Sequence, residues 1–398
     1  MTTDNSLFTL TDYDERAKTS DRFKNDQMSI DQLKYGLFGE VGGLLAAVKK
    51  AHRDSFPIKN KEIAMEELGD AFWYLAALIR RTPLTLNEIG EATLHDLQNE
   101  LCSCEYTKSD GAITFSEIDG LLAFLSKQLP EPKDILLYKL AYYTSSLFDG
   151  HNDTPEQHSI SDKERFSKLL SALAMVTAKF GLKLFDIAIA NNQKTESRWA
   201  PPNSKYIELF DQNLPIYEQL PRQFEITFLE RDIKGKKFVV QQLNGVNIGD
   251  PITDNRQDGD DYRFHDVFHF AYIAHLGWSP VIRALLKLKR KSKPHIDENQ
   301  DGARAIIIEE GIATWIFNHA RNLHYYDNVE PGKLEYGLLK QIQNMVSGYE
   351  VDKCPLWQWE LAILEGFKVF RDLRARRCGV VIVNMEQHSI TFKQLDEK

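Results

Sequence analysis

Cysteine is scarce in this sequence, with four among 398 residues. Cys102 and Cys104 form a C-x-C, while Cys354 and Cys378 stand apart. The absence of a C-x-x-C pair excludes a zinc ribbon, and so few thiols read as the reduced side chains of a cytosolic protein. No apolar run approaches the roughly 18–20 residues that a membrane helix needs. The opening stretch, MTTDNSLFTLTDYDERAKTSD, is polar and acidic rather than a signal peptide. Positive charge is not in excess either: 49 Lys and Arg face 58 Asp and Glu, a net charge of -9. That balance argues against a surface built to bind nucleic acid. The expectation is a soluble, cytoplasmic protein with no membrane partner.

Hydrophobic residues make up 42% and charged residues 27%, a globular composition. The chain is too long for one ordinary core, so two or three domains are expected. Apolar residues recur at helical spacing over 29–52, 60–81, 115–128, 132–148 and 162–198. TPLT at 82–85 and PEP at 130–132 break the pattern, and Ser161 or Asp162 can cap the helix that follows the 149–162 loop. Pro201 and Pro202 open a linker. Beyond it, FEITFLERDIKGKKFVVQQLNGVNIG alternates like strands around a Lys-Gly turn. Two long helices (262–290 and 302–323), two more (333–348 and 355–376) and a closing hairpin in GVVIVNMEQHSITF complete the reading. The expected fold is mainly α. An all-α helical-bundle domain covers 1–200 with an insertion near 85–160, 201–221 is a linker, and an α+β domain with small β-hairpins covers 222–398.

Within the first half, YGLFGEVGGLLAAVKK (35–50) carries Glu40 among glycines and leucines, and EELGDAFWYLAAL (66–78) sets acids beside an apolar face. Glu67 and Asp70 are three apart and Glu66 is four before Asp70, so all three share one side of a helix. Acids next to a buried face call for a cation, and hard divalent ions take carboxylate oxygens. Spacing alone also fits solvated acids.

The run from LTDYDERAKTSDR through these two stretches to LFDIAIANNQKTESRW resembles the MazG type of all-α nucleotide pyrophosphohydrolase. The family carries E-x-x-E on one helix and E-x-x-D on the next, then a helix with an Asn and a Lys near its end. The resemblance implies hydrolysis of a nucleoside triphosphate to monophosphate and pyrophosphate with Mg2+ (Mn2+ as substitute), by a homo-oligomer, dimer or higher. It places Glu40, Glu67 and Asp70 as metal ligands and catalytic residues, and Lys49, Lys50, Asn191 and Lys194 at the substrate; Arg198 is a further substrate candidate, and the basic residues also read as solvated helix ends. Trp199 reads as a domain-packing residue. The second acid of E-x-x-E falls on Gly43, which cannot ligate, and Glu66 is the candidate to compensate.

The second half has its own cluster. His265 and His269 lie four apart with Asp266 beside them, and Glu309 and Glu310 sit within an apolar helix. Two His and a carboxylate suit a transition metal better than magnesium. The alternative is structural pairing of the histidines with Glu309 or Glu310. This half looks similar to the segment appended C-terminally to some bacterial MazG-like proteins. The basic run from Arg283 to Lys293 reads as a solvated helix end or as a surface for phosphate or nucleic acid. Three functions result. One is a Mg-dependent pyrophosphohydrolase. Another is a metal-dependent hydrolase at the His/Glu cluster, with the first domain sensing nucleotides. The third is a catalytically impaired nucleotide-binding regulator, in nucleotide-pool control or defence.

Overall fold

The computed structural model describes residues 8–53, 60–101, 111–128, 132–151 and 161–395, so Cys102 and Cys104 lie outside the described residues. The chain divides into two units, Met1–Glu196 and Ser197–Lys398.

The first unit is helical: α1 (Leu10–Ser20), α2 (Gln27–Arg53), α3 (Asn60–Ile79), α4 (Leu86–Leu101), α5 (Phe115–Gln128), α6 (Lys133–Ser145), α7 (Asp162–Lys179) and α8 (Leu184–Arg198). Helices α1 and α4 are absent from the periodicity reading, yet each opens on a capping box, in which side chains satisfy the first free backbone donors reciprocally. Thr9 N donates to Asp12 Oδ2 (2.9 Å) and Asp12 N to Thr9 Oγ1 (3.0 Å). Thr85 and Glu88 do the same at α4, at 2.7 and 3.2 Å. Ser161 caps α7, as expected. The helix expected over 162–198 is two, because Gly181 takes a left-handed φ of 66°. Leu86, Ile89 and Leu97 of α4, with Phe115 and Ile118 of α5, are buried with Leu37, Phe72 and Leu173 in a single core. The described part of the 85–160 segment therefore belongs to the bundle's own interior.

The second unit adds β1 (Gln223–Ile233), β2 (Lys236–Leu243), β3 (Val246–Ile252), α9 (Asp266–Leu276), α10 (Pro280–Leu285), α11 (Pro294–Asn299), α12 (Ala303–Arg321), α13 (Tyr336–Met345), α14 (Leu356–Arg376), β4 (Cys378–Asn384) and β5 (Ser389–Lys393). The expected Lys-Gly turn joins β1 to β2, with Lys234 and Gly235 at φ 56° and 80°. The separate hairpins become one antiparallel sheet, ordered β3-β2-β1-β4-β5, because Phe224 pairs with Val383 and Phe228 with Gly379. Every residue of α9 is buried, and it packs against α14, β4 and β5. The long helix expected over 262–290 does not form. Gly277 ends α9 in a left-handed turn (φ 64°), and Ser279 caps α10 with Pro280 at its first position.

The expected linker is also corrected. Asp211 and Glu218 are buried. Arg283 donates to Asp211 Oδ2 and to the Glu218 carbonyl, both at 2.7 Å, and Ser292 N donates to Glu218 Oε1 (2.8 Å). The segment 201–221 is thus fastened into the second unit as a strap.

Candidate functional site

Helices α2, α3 and α8 bring the acids of the first unit together with Asn191 and Lys194. Glu40 and Glu67 share a hydrogen bond. Lys194 pairs with Asp70 and with Glu66 (3.2 Å). Asn191 donates to Asp70 Oδ1 (3.0 Å) and accepts from the Tyr13 hydroxyl (2.9 Å). Gly69 admits α8, since a Cβ there would lie 3.3 Å from Asn191 Cβ. Gly43 has a comparable meaning: a Cβ there would run into the Glu67 carboxyl, its carbon 2.8 Å away. The space opened by the missing acid is thus filled by Glu67 itself. Tyr13 and Tyr74 are site neighbours that acid spacing did not reveal.

Burial, the charge of Asp70 and the hydrogen bond that the protonated carboxyl donates to Glu67 push Glu40 up to about 8. Burial also raises Glu67, with Glu66 and Asp70 adding to the effect. Glu40, Glu66, Glu67 and Asp70 bring carboxyl oxygens together beside the ammonium of Lys194, and hard divalent cations take oxygen donors of this kind. The donor set fits magnesium in that respect. Lys49 and Lys50 are exposed at the end of α2.

Arg198 does not join this group. It is buried in the second unit, where it donates to Glu360 Oε2 (2.7 Å) and the Leu334 carbonyl (2.6 Å). Its charge is already spent on a structural ion pair, and we withdraw it as a substrate residue. Trp199 beside it donates to the Gly332 carbonyl (3.2 Å).

In the second unit, His265, Asp266 and His269 offer ligand atoms that all lie within 4.8 Å of one another. Among the described residues they are the one group of three that meets this condition. Glu310 Oε2 on α12 stands 3.6 Å from Nε2 of both histidines. Glu309 is turned away from the cluster. It accepts from Ser279 Oγ (2.6 Å) and Val281 N (2.8 Å), and meets His269 Nδ1 at 2.8 Å. Burial alone would lower His269, but the charge of Glu309 outweighs it and raises that imidazole. Burial likewise opposes ionisation of Glu310, yet the neighbouring imidazoles of His265 and His269 hold it well below the usual carboxylate range.

The run from Arg283 to Lys293 is not a uniform basic surface. Arg283 and Arg290 are buried, the latter between Asp301 (2.7 Å) and Glu350 (2.6 Å). Lys287, Lys291 and Lys293 are exposed.

A five-stranded antiparallel sheet packed with the buried helix α9, and a polar His/carboxylate cluster between α9 and α12, define the second unit. The family model of the MazG C-terminal domain matches residues 205–396, so this unit carries a MazG C-terminal domain. The matched residues include the His/carboxylate cluster and exclude the acids of α2 and α3. The chain is also similar to the gene 37 protein of Mycobacterium phage L5, at 35% identity over 77 residues, which is 18% of this chain and 68% of that protein. No solved structure matches the chain.

Proposed function

We propose that the first unit is a magnesium-dependent nucleoside triphosphate pyrophosphohydrolase, converting substrate and water to a nucleoside monophosphate and pyrophosphate. The observation that carries the reading is the meeting of Glu40, Glu67 and Asp70, from two helices, with Lys194 and Asn191 from a third. Glu40, Glu67 and Asp70 would hold the ion, with Glu66 beside them. Bound there, magnesium supplies charge neutralisation for substrate phosphates and acidifies water. Asn191 orients Asp70, and Tyr13 in turn orients Asn191. Lys194 balances Asp70 and Glu66, and its ammonium can turn to phosphate as a point charge. Lys49 and Lys50 stand in solvent with no such placement.

The test is a panel of nucleoside and deoxynucleoside triphosphates with pyrophosphate detection, in magnesium and in manganese. Charge stabilisation by a metal is worth several kcal/mol, so Glu67→Gln should lose on the order of 100-fold or more in kcat/KM. No turnover of any triphosphate, with the variant indistinguishable from wild type, would sink the reading.

A second reading has its own observation at Gly43. If Glu67 must both fill that space and serve the ion, the first unit is a nucleotide-binding regulator rather than an enzyme. Tight nucleotide binding without turnover would favour it, and Gly43→Glu would then gain activity. The homo-oligomer belongs to the proposal as well. Tyr35 and Phe38 on α2 and Tyr138 and Tyr142 on α6 are exposed aromatics on two helices that pack together. Such apolar surface fits a self-association face.

A further inference from the structure

We propose that His265, Asp266, His269 and Glu310 form a binding site for one first-row transition-metal ion in the second unit. Glu309, Gln241 and the Tyr262 carbonyl are the groups that aim its ligands. The site is separate from the acids of the first unit and does not depend on the pyrophosphohydrolase reading.

The argument begins with which nitrogen of each ring is committed. His265 Nδ1 lies 3.0 Å from the Tyr262 carbonyl oxygen. A carbonyl only accepts, so Nδ1 carries the proton and the neutral ring keeps its lone pair on Nε2. His269 Nδ1 lies 2.8 Å from Glu309 Oε1. Glu309 already accepts from Ser279 and Val281, so it is an acceptor here too, and the neutral His269 ring that a metal would bind has its lone pair on Nε2. Both rings therefore hold the tautomer of metal-binding histidines, with the outer nitrogen donating to a carboxylate or a carbonyl.

His269 Nε2 is completely buried and has no hydrogen-bond partner. An unpaired polar atom in the interior is costly, and native structures seldom leave one without a reason. The atom points toward Glu310 Oε2 at 3.6 Å, too far for a hydrogen bond. The same oxygen is 3.6 Å from His265 Nε2. That separation suits shared coordination better than direct bonding, because ligands around a tetrahedral ion with bonds of about 2.1 Å stand about 3.4 Å apart.

The carboxylates show the same division of labour. Asp266 Oδ2 accepts from Gln241 Nε2 on β2 (2.6 Å), which leaves Oδ1, 3.2 Å from His265 Nε2, facing the cluster. Glu309 is excluded as a ligand by its three partners, so of the two adjacent acids it orients and Glu310 binds. Tyr262 stacks on His265 with centroids 4.1 Å apart and fixes the ring plane. Two imidazoles and two carboxylates favour zinc, iron(II), cobalt(II) or manganese(II) over magnesium. The Glu310 side chain is 40% exposed while His269 is not exposed at all, so the ion would be sheltered on one side and open to water on the other.

The experiment uses the full chain, stripped with a chelator and titrated with Co2+ alone, in buffer holding excess Mg2+ to occupy the first-unit acids. The expected result is one equivalent of Co2+ with a ligand-field absorption band. Its affinity should fall more than 10-fold in His269→Ala and in Glu310→Gln, and about 10- to 100-fold in Glu309→Gln as expected for an orienting carboxylate. Glu40→Gln should keep the band, which separates this site from the proposed magnesium site. If His269→Ala misfolds, judged by circular dichroism, the half-exposed Glu310→Gln decides alone. The proposal is overturned if wild type shows no band, or if Glu310→Gln binds Co2+ as wild type does.

Discussion

At Glu40, burial and like charge act together, and the outcome has a sign that can be measured. The folded carboxyl is raised from 4.5 to about 8, so the folded chain holds a proton that the unfolded chain releases. The associated stability is complete below about 4.5 and is lost as pH rises toward about 8. Metal-free protein should therefore melt at progressively lower temperature across that window, and Glu40→Gln should flatten the dependence. Magnesium binding near neutral pH should expel the proton, so its calorimetric enthalpy should vary with the ionisation heat of the buffer. Gly43→Ala should displace the Glu67 carboxyl, weaken its hold on Glu40 and bring the titration back toward the ordinary range; an unchanged profile would refute that link. Arg198→Ala should cost about 3–5 kcal/mol in denaturant unfolding, because Glu360 would remain buried without its partner. Of these residues, Glu40, Glu67, Asp70, Asn191 and Lys194 were legible as short motifs. Arg198 was misread because its partner, Glu360, is remote in sequence. Tyr13, Gln241 and Ser279 escaped for the same reason: their roles are set by contacts across the fold.

At the scale of elements, periodicity located most helices and missed their joints. A helical pattern continues through a glycine, so 162–198 and 262–290 each read as one rod. The left-handed backbone of Gly181 and Gly277 divides both. At Gly277 the division also aligns the candidate metal site, because it lets Ser279 turn back to Glu309, the group that holds His269. Gly277→Ala should destabilise by roughly 1–2 kcal/mol from the left-handed conformation alone. Its Cβ would also lie 2.8 Å from Leu209 Cδ2. Chemical denaturation gives the first cost, and weakened Co2+ binding would report the loss of alignment. Helices α1 and α4 were legible after all, through Thr9 with Asp12 and Thr85 with Glu88, a capping signal that outweighs weak periodicity.

At the scale of the whole chain, the described helices include none long and apolar enough to cross a membrane. The two proposed metal chemistries lie in different units, hard oxygen ligands in one and imidazole in the other, so chelators of different selectivity should silence them separately. Prolines at 201–202 look like the start of a flexible tether. The buried acids that follow show otherwise. A fragment of residues 222–398 should be insoluble or unfolded, whereas residues 197–398 should unfold cooperatively.

That strap also constrains inheritance. Arg283 lies deep in the second unit but finds its counter-charge on Asp211, outside the sheet and helices that look like the domain. Arg198 likewise keeps Glu360 from being stranded. Recombination that moved the sheet and helices alone into another protein would take from Arg283 its 2.7 Å partner, leaving Asp301 at 3.9 Å, and would leave buried Glu360 without its guanidinium. The transferable module must bring its upstream segment with it, and natural fusions of this domain should carry an acidic strap ahead of the first strand.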